Sequence, residues 1–317
     1  MIQTLQETQP QISADDAPLQ STSLTVGDYA QRVIGKQYRR LIKHEEGVLA
    51  DQDSEHLHQM RVAARRLGTA IQVFDRIIEL PKAAQLKQVR SLGKALGQLR
   101  DLDVQITAIR ENYSPRVEAE EQNLLNESLN SLKKQRQKML TRVKPTLTHR
   151  RYEKLKTSYQ RWLEEPQFTS LASLPLSLVA PDLLSPLLSN LLLHPAWLVP
   201  AQDTSEASAQ CLHSLRKTCK AARYQAEFFT DFYPQPFATW VDELKQLQEN
   251  LGKVQDAAVL FQILKDEIPS HAEWPNLQEA IWSDRQSALQ DWDTLRQKYL
   301  SPNFRQSLHR MILESVN

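Results

Sequence analysis

The sequence predicts an all-α protein whose two halves are copies of one helical unit. Only seven of the 317 residues are Gly, and Leu, Gln, Ala, Lys, Arg and Glu, which favour helices, dominate the composition. A cationic helical pattern also occurs twice, at a constant offset of 155 residues. An internal repeat of this kind is expected to bring its two copies together around a pseudo-twofold axis.

The first copy lies on a helix predicted to start after an Asp53 or Ser54 cap and to run to Phe74. At about 100° per residue its apolar residues share one face, which is expected to pack in the core. The opposite stripe carries the cations and has no acidic residue; it comprises His58, Arg61, Arg65 and, at its flank, Arg66. Like charges at helical spacing repel, and a solvated face would mix signs. The stripe is therefore predicted to bind an anion.

The second copy begins at His213, and Arg216 and Lys220 fall where Arg61 and Arg65 stand in the first. Ten of the 47 positions aligned between 58–104 and 213–259 are identical, without a gap. They include the pairs Gly97 and Gly252, and Asp101 and Asp256. The second stripe consists of His213, Arg216, Lys217, Lys220 and Arg223.

The remaining elements of the first half follow from periodicity and breakers. Residues 1–24 are polar and aperiodic, which predicts a disordered tail. A helix over 26–49 ends in cations that extend the predicted basic surface: Arg39, Arg40 and Lys43. A third helix runs from Pro81 to about residue 109, and one of its faces carries Arg90, Lys94, Gly97 and Asp101.

Two residues of this third helix have a predicted role in the site. A Gly inside a helix costs about 1 kcal/mol relative to Ala, so Gly97 is expected to allow a close backbone approach. A carboxylate repels an anion, so Asp101 and its second-half equivalent Asp256 are not expected to contact the ligand. They are expected instead to hold neighbouring Arg or His side chains in place.

A fourth helix is predicted over 115–165, with a kink at Pro145. Its segment 133–161 is strongly basic, and about half of these side chains are expected to be solvated while the others could form a wall of an anion site. A Pro-rich linker follows at 166–182, and the second half repeats the plan with helices near 183–199, 206–232, 236–267 and 271–299. A tail helix lies within 301–317.

Four ordered motifs carry a resemblance to a known family. They are HLHQMRVAARRL at 56–67, LGQLRDLDV at 96–104, HSLRKTCKAARY at 213–224 and LQENLGKVQDAA at 247–258. In these motifs the sequence resembles the CHAD (conserved histidine α-helical domain) family over roughly residues 25–300. Two departures are Gly68 and Ala221, where family members usually carry a further cation. The resemblance implies two four-helix-bundle repeats, at 25–165 and 183–300, which enclose a basic central channel that binds inorganic polyphosphate.

The predicted function is polyphosphate binding without catalysis, metal or cofactor. The predicted ligand contacts are Arg39, Arg40, Lys43, His58, Arg61, Arg65, Arg66, His213, Arg216, Lys217, Lys220 and Arg223. Partners could be polyphosphate granules or a polyphosphate-metabolising enzyme. A nucleic-acid-binding protein is one alternative, but it would need aromatic residues among the cations for base stacking, and the stripes contain only Tyr224. A polyphosphate-processing phosphohydrolase or transferase is another, and it would need divalent-metal ligands that the sequence does not show.

Composition sets further bounds. The net charge is +1, with 39 basic and 38 acidic residues, so a strongly basic nucleic-acid binder is not indicated. Cys211 and Cys219 lie about 12 Å apart along one helix, too far for a disulfide, which favours a reducing compartment. No signal peptide is apparent, and the apolar run at 187–199 is judged too short to cross a membrane. A cytoplasmic protein without a membrane partner is expected.

Overall fold

The chain is helical throughout the part that the structure, a computed structural model, describes: residues 24–268 and 271–314. Within these ranges the β-structure is limited to isolated bridges, which confirms the all-α prediction. The first half contains α1 (Val26–Lys43), α2 (Glu45–Ala50), α3 (Ser54–Val73), α4 (Leu86–Thr107), α5 (Ala119–Thr148) and α6 (Arg150–Glu164). The second half contains α7 (Leu176–Leu192), α8 (Glu206–Ala226), α9 (Gln235–Glu267), α10 (Pro275–Ala288), α11 (Trp292–Leu300) and α12 (Pro302–Leu313).

Two of the predicted helices are each divided in the structure. The predicted helix 26–49 breaks at His44 into α1 and α2, and the predicted helix 115–165 breaks at His149 into α5 and α6. Pro145 lies inside α5, so the chain changes direction one turn after the proline. His149 has extended backbone, and its Nδ1 accepts a hydrogen bond from the Arg151 N–H at 3.1 Å. The His149 imidazole therefore caps the N-terminus of α6, and helical periodicity alone does not predict this role.

The ends of the helical region differ from the predicted bounds. Of the predicted disordered tail, residues 1–23 lie outside the described residues, but Leu24 is buried and its carbonyl accepts a hydrogen bond from the Leu176 N–H at 3.0 Å. The tail prediction is therefore wrong for residue 24. The linker is also shorter than predicted, because α7 begins at Leu176. The predicted tail helix is α12, and its Leu308 and Ile312 are buried in the core.

The two cationic helices meet at equivalent positions of the repeat. Phe74 follows α3 and Phe229 follows α8 at the same offset of 155. Both rings are fully buried, and their centroids lie 6.2 Å apart. Tyr29 of α1 contacts both rings. This aromatic cluster packs α3 against α8, although the pseudo-twofold axis and the four-helix organisation of each half remain predictions.

A second, smaller core lies at one end of the molecule and is called the tip core here. It is built by both halves, from the ends of α4, α5 and α9 together with α10; its members include Ile106, Ile109, Tyr113, Leu125, Leu129, Leu260, Leu264, Trp274 and Leu277. Glu121 of α5 is buried there, and its carboxylate accepts hydrogen bonds from the backbone N–H groups of Asn276 and Leu277 at 3.0 and 2.8 Å. An acidic side chain from one half thus caps a helix of the other.

One apolar segment is longer than the run considered in the sequence. Leu176–Leu198 is long and apolar enough to cross a membrane by length and composition alone. In the structure it comprises α7 and a following 3-10 turn, and Leu184, Leu188 and Leu191 of α7 are fully buried in the main core. Pro181 and Pro186 lie within α7. Packing in the core accounts for the apolar character of Leu184, Leu188 and Leu191, whereas Leu178, Leu193 and Leu198 of the same segment are exposed.

Candidate anion-binding site

The predicted stripes of α3 and α8 face one cavity, which has a volume of about 690 Å³. Helices α4 and α9 complete its wall. The part contributed by α4 extends from Leu86 to Gln105, which at 1.5 Å per residue is about 28 Å. The cavity is therefore an elongated groove that follows α4 along most of its length.

Eight of the predicted residues line this cavity. They are Arg61, Arg65, Asp101, His213, Arg216, Lys217, Lys220 and Asp256. They come from all four helices and are up to 195 positions apart in the sequence. The repeat and the helical periodicity were sufficient to predict this part of the site.

In each copy of the repeat, the first arginine of the cationic stripe packs against a glycine of the following helix. The Arg61 side chain lies across α4 at Gly97, where a Cβ atom would stand 3.5 Å from the arginine Nε. The Arg216 side chain lies across α9 at Gly252, where a Cβ would stand 3.3 Å from Nε and 3.5 Å from Nη2. The close approach at Gly97 is thus made by a guanidinium rather than by the expected backbone, and it occurs in both halves.

Polar atoms without partners concentrate around these arginines. Nε of Arg61 and of Arg216 is buried, as is Nδ1 of His58 and of His213, and none of the four atoms has a hydrogen-bond partner among the described residues. An unpaired buried polar atom costs about 1–3 kcal/mol. Four such atoms at repeat-equivalent positions are typical of a site that a ligand completes.

Burial and the neighbouring cations both lower the pKa values of the two repeat-equivalent histidines. Burial, followed by the charge of Arg100, lowers the pKa of His58. Burial, followed by the charges of Lys217 and Arg216, lowers the pKa of His213. Both imidazoles are therefore less readily protonated than a free His, and a bound anion would favour their charged form.

The two aspartates behave differently although the repeat equates them. Asp101 is two-thirds exposed, and its Oδ1 accepts a hydrogen bond from Arg61 Nη2 at 3.0 Å. Asp256 makes no ion pair or hydrogen bond within the described ranges, and burial raises the pKa of its carboxyl while Arg216 and Lys220 oppose this shift. The predicted orienting role is consistent with the contact at Asp101 and has no equivalent contact at Asp256.

Arg66 and Arg223, both predicted as ligand contacts, converge instead on Glu227. Arg66 forms an ion pair with this carboxylate, and Arg223 Nε lies 3.5 Å from its Oε1. Both guanidinium groups also stack on the Tyr224 ring. The repeat equates Arg66 with Ala221 and Arg223 with Gly68. Each half therefore lacks one cation that the other half carries, and the two cations that remain share the single carboxylate of Glu227.

The other predicted contacts lie outside the cavity wall. His58 is half-buried beside Arg100, behind the lining residues. Arg39, Arg40 and Lys43 are exposed on α1, which the structure does not bring to the cavity. The sequence could not exclude these α1 residues, because a basic face gives no information about which helix it will meet.

Two lining cations were not among the predicted contacts. Arg90 and Lys94 of α4 also line the groove. The sequence did indicate these two residues, because they share the predicted face of α4 with Gly97 and Asp101.

Among the described residues, no group of three or more His, Cys, Asp or Glu is arranged to hold a metal ion.

The glycine supports lead to a graded prediction. We expect Gly252→Leu to displace the Arg216 guanidinium and to weaken binding of long-chain polyphosphate about ten- to a hundredfold, which corresponds to one lost charge-assisted contact. Gly252→Ala should weaken it much less, since Arg216 needs to move by only a few tenths of an ångström. Both changes should stabilise α9 because Gly is the poorer helix former. Titration of each variant, together with its melting temperature, tests this series; equal affinity of the Leu variant and the unmodified chain would contradict it.

The fold and the cavity together define an all-helical protein with an interior groove lined by cations. The family model described as CHAD domain matches residues 32–265, and the chain therefore belongs to the CHAD domain family.

Solved structures agree with this assignment. The chain is similar to the CHAD domain from the plant Ricinus communis, with 25% sequence identity and a TM-score of 0.61 over 94% of this chain and 96% of that chain. It also has the fold of PptA from Streptomyces chartreusis, with 14% identity and a TM-score of 0.54 over 90% of this chain and 99% of that chain. Among the curated proteins, no sequence gives a significant match.

Proposed function

We propose that the cavity binds inorganic polyphosphate and that it does so without catalysing a reaction. The observation that carries this proposal is the composition of the groove wall, which contains seven Lys or Arg residues and two Asp residues. The whole chain has a net charge of only +1, so the excess of cations over carboxylates in the groove wall is a local feature. The chain belongs to the CHAD domain family, and the resemblance to that family implies polyphosphate binding. This supports the same ligand.

The shape of the groove favours a linear polymer of phosphates. A wall about 28 Å long with cations at successive positions matches a ligand that carries negative charge along its whole length. Arg offers a planar fork of donors for phosphate oxygens, and Lys offers a mobile point charge. Among the lining residues, Arg61, His213 and Arg216 each have a nitrogen atom without a partner within the described part of the chain.

A single-stranded nucleic acid fits the groove less well. Base stacking requires accessible aromatic faces, and Tyr224, the aromatic residue of the groove wall, is 4% exposed with its ring covered by Arg66 and Arg223. The proposed absence of catalysis is supported by Asp101, whose carboxylate is already engaged by Arg61. A carboxylate in that arrangement positions a cation and is poorly placed to activate water.

A competition titration tests the proposal. Long-chain polyphosphate, pyrophosphate, single-stranded DNA and heparin compete for the protein against one labelled polyphosphate. We expect the long chain to bind most tightly and pyrophosphate much more weakly, because a short ligand cannot reach cations of α3, α4 and α8 at once. Seven lining cations and a coefficient of about 0.7 per contact predict a slope of log affinity against log salt of about −5.

Two outcomes would contradict the proposal. Tighter binding of DNA than of polyphosphate at physiological salt would make the nucleic acid the better ligand. A slope near zero would mean that binding is not ionic, and the cations would then serve the packing of the two halves.

A further inference from the structure

Lys220 lies where the cations of the cavity are most crowded. It projects from α8 into the groove beside Arg61 and Arg65 of α3 and Arg216 of its own helix. Its ammonium group forms no hydrogen bond or ion pair within the described part of the chain. The repeat equates Lys220 with Arg65, so the two halves place different cations at the same point of the pattern.

Every helix of the cavity contributes to the field around Lys220. The charged and titratable groups that act on it or on which it acts are His58, Arg61 and Arg65 of α3, Arg216 and Arg223 of α8, and Asp256 of α9. On α4, Arg100 and Asp101 act on its immediate neighbours His58, Arg61 and Asp256. Cations outnumber carboxylates in this group, and burial together with the four arginines lowers the pKa of Lys220 to about 7.

We propose that the cavity takes up a proton as it binds its anionic ligand, and that Lys220 is the group that accepts it. The inference rests on the proposed function and adds to it a dependence on pH. In the empty cavity near neutral pH a large fraction of Lys220 is the uncharged amine. When the anion enters, the lone pair of Nζ takes one proton from water or buffer, and no other bond changes.

The sign of the pH dependence follows from this exchange. A bound polyanion favours the charged form and raises the pKa of Lys220 in the complex. Well below pH 7 the lysine is already protonated, so binding requires no uptake and affinity does not depend on this group. Above that value each pH unit lowers the affinity by up to about tenfold, until the pKa of the complex is reached. An Arg at this position would keep its charge throughout and would show no such dependence.

Calorimetric titration with long-chain polyphosphate tests the proposal directly. Measurements at about pH 8 in two buffers with different ionisation enthalpies give the number of protons taken up on binding. We expect nearly one proton more for the unmodified chain than for Lys220→Arg. The variant should bind about tenfold more tightly at about pH 8 and equally well below about pH 6, as expected for a group with a pKa near 7.

The design separates Lys220 from other titrating groups. Long chains are used because their internal phosphates stay ionised and their titrating ends are few. A bound anion also favours protonation of His58 and His213, whose pKa values are lowered without the ligand. Uptake by these residues is common to the unmodified chain and to Lys220→Arg, so the difference between the two proteins measures Lys220. Lys217→Arg is the matched control, because Lys217 is an exposed lysine of the same helix and wall, and this variant should still take up the proton.

The outcomes distinguish this proposal from the one on which it rests. If Lys220→Arg takes up as many protons as the unmodified chain, with the same pH profile, Lys220 is not the acceptor although polyphosphate binding stands. If the unmodified chain binds polyphosphate without proton uptake, the coupling is absent. If it does not bind polyphosphate at all at any of these pH values, the proposed function itself is wrong.

Discussion

Simultaneous charge reversal of Arg61 and Arg216 is expected to abolish polyphosphate binding. Each arginine provides a charge-assisted contact worth about 1.5–3 kcal/mol, so the pair accounts for two to four orders of magnitude in affinity, and the two new carboxylates add repulsion. The fold should survive, because both side chains point into the cavity. The ion pair of Arg61 with the exposed Asp101 contributes at most about 1 kcal/mol.

The measurement is a binding titration accompanied by a thermal melt. Reversal of Lys133 and Lys134, which are exposed on α5, changes the net charge by the same amount and serves as the control for nonspecific electrostatics; it should lower affinity far less. Two results would count against the cavity as the binding site. One is a folded Arg61/Arg216 double variant that still binds, and the other is a control pair that loses as much affinity.

Replacement of Arg136 by Met is expected to destabilise the protein by about 3–5 kcal/mol, the cost of leaving a buried charge without its partner. Arg136 of α5 donates hydrogen bonds to both carboxylate oxygens of Asp51, at 2.6 and 2.8 Å, and to Asp103 Oδ1 of α4 at 2.6 Å. The Asp103 side chain is only 7% exposed. These contacts raise the pKa of Arg136 above its ordinary value.

Urea denaturation measures this loss, and Arg142→Met is the matched control. Arg142 is exposed on the same helix, and its replacement should change the free energy of unfolding by no more than about 0.5 kcal/mol. The affinity of folded Arg136→Met protein for polyphosphate should be unchanged, since Arg136 does not line the cavity. A loss of stability below about 1 kcal/mol would mean that water replaces the guanidinium at Asp103.

Arg136 illustrates why only part of the site could be predicted from the sequence. Its place in the basic segment 133–161 suggested either a solvated residue or a wall of an anion site, and it is neither. The carboxylates that bind it, Asp51 and Asp103, belong to other helices. Asp51 also has a positive φ of 54°, which places its side chain in a turn whose direction no helical periodicity describes.

The successful predictions depended on local patterns. Helical spacing correctly separated the buried face of α3 and of α8 from the face that lines the cavity. The repeat identified Gly97 and Gly252 as equivalent positions, although it did not show that an arginine packs against each of them. Periodicity did not predict the role of a residue where that role depends on which helix packs against its face. Arg66 stands beside Arg65 in the sequence, yet it pairs with Glu227, 161 residues away. A helical wheel shows that Arg65 and Arg66 are neighbours on the surface of one helix. It does not show which groups of the facing helix each of them will meet.

The tip core has a consequence for how this chain folds. Ile109 and Leu125 come from the first half of the chain, Leu264 and Leu277 come from the second half, and they bury one another. Either half alone would expose its share of this core to water. Folding of each half is therefore expected to depend on the presence of the other, and a truncation in one half should destabilise both.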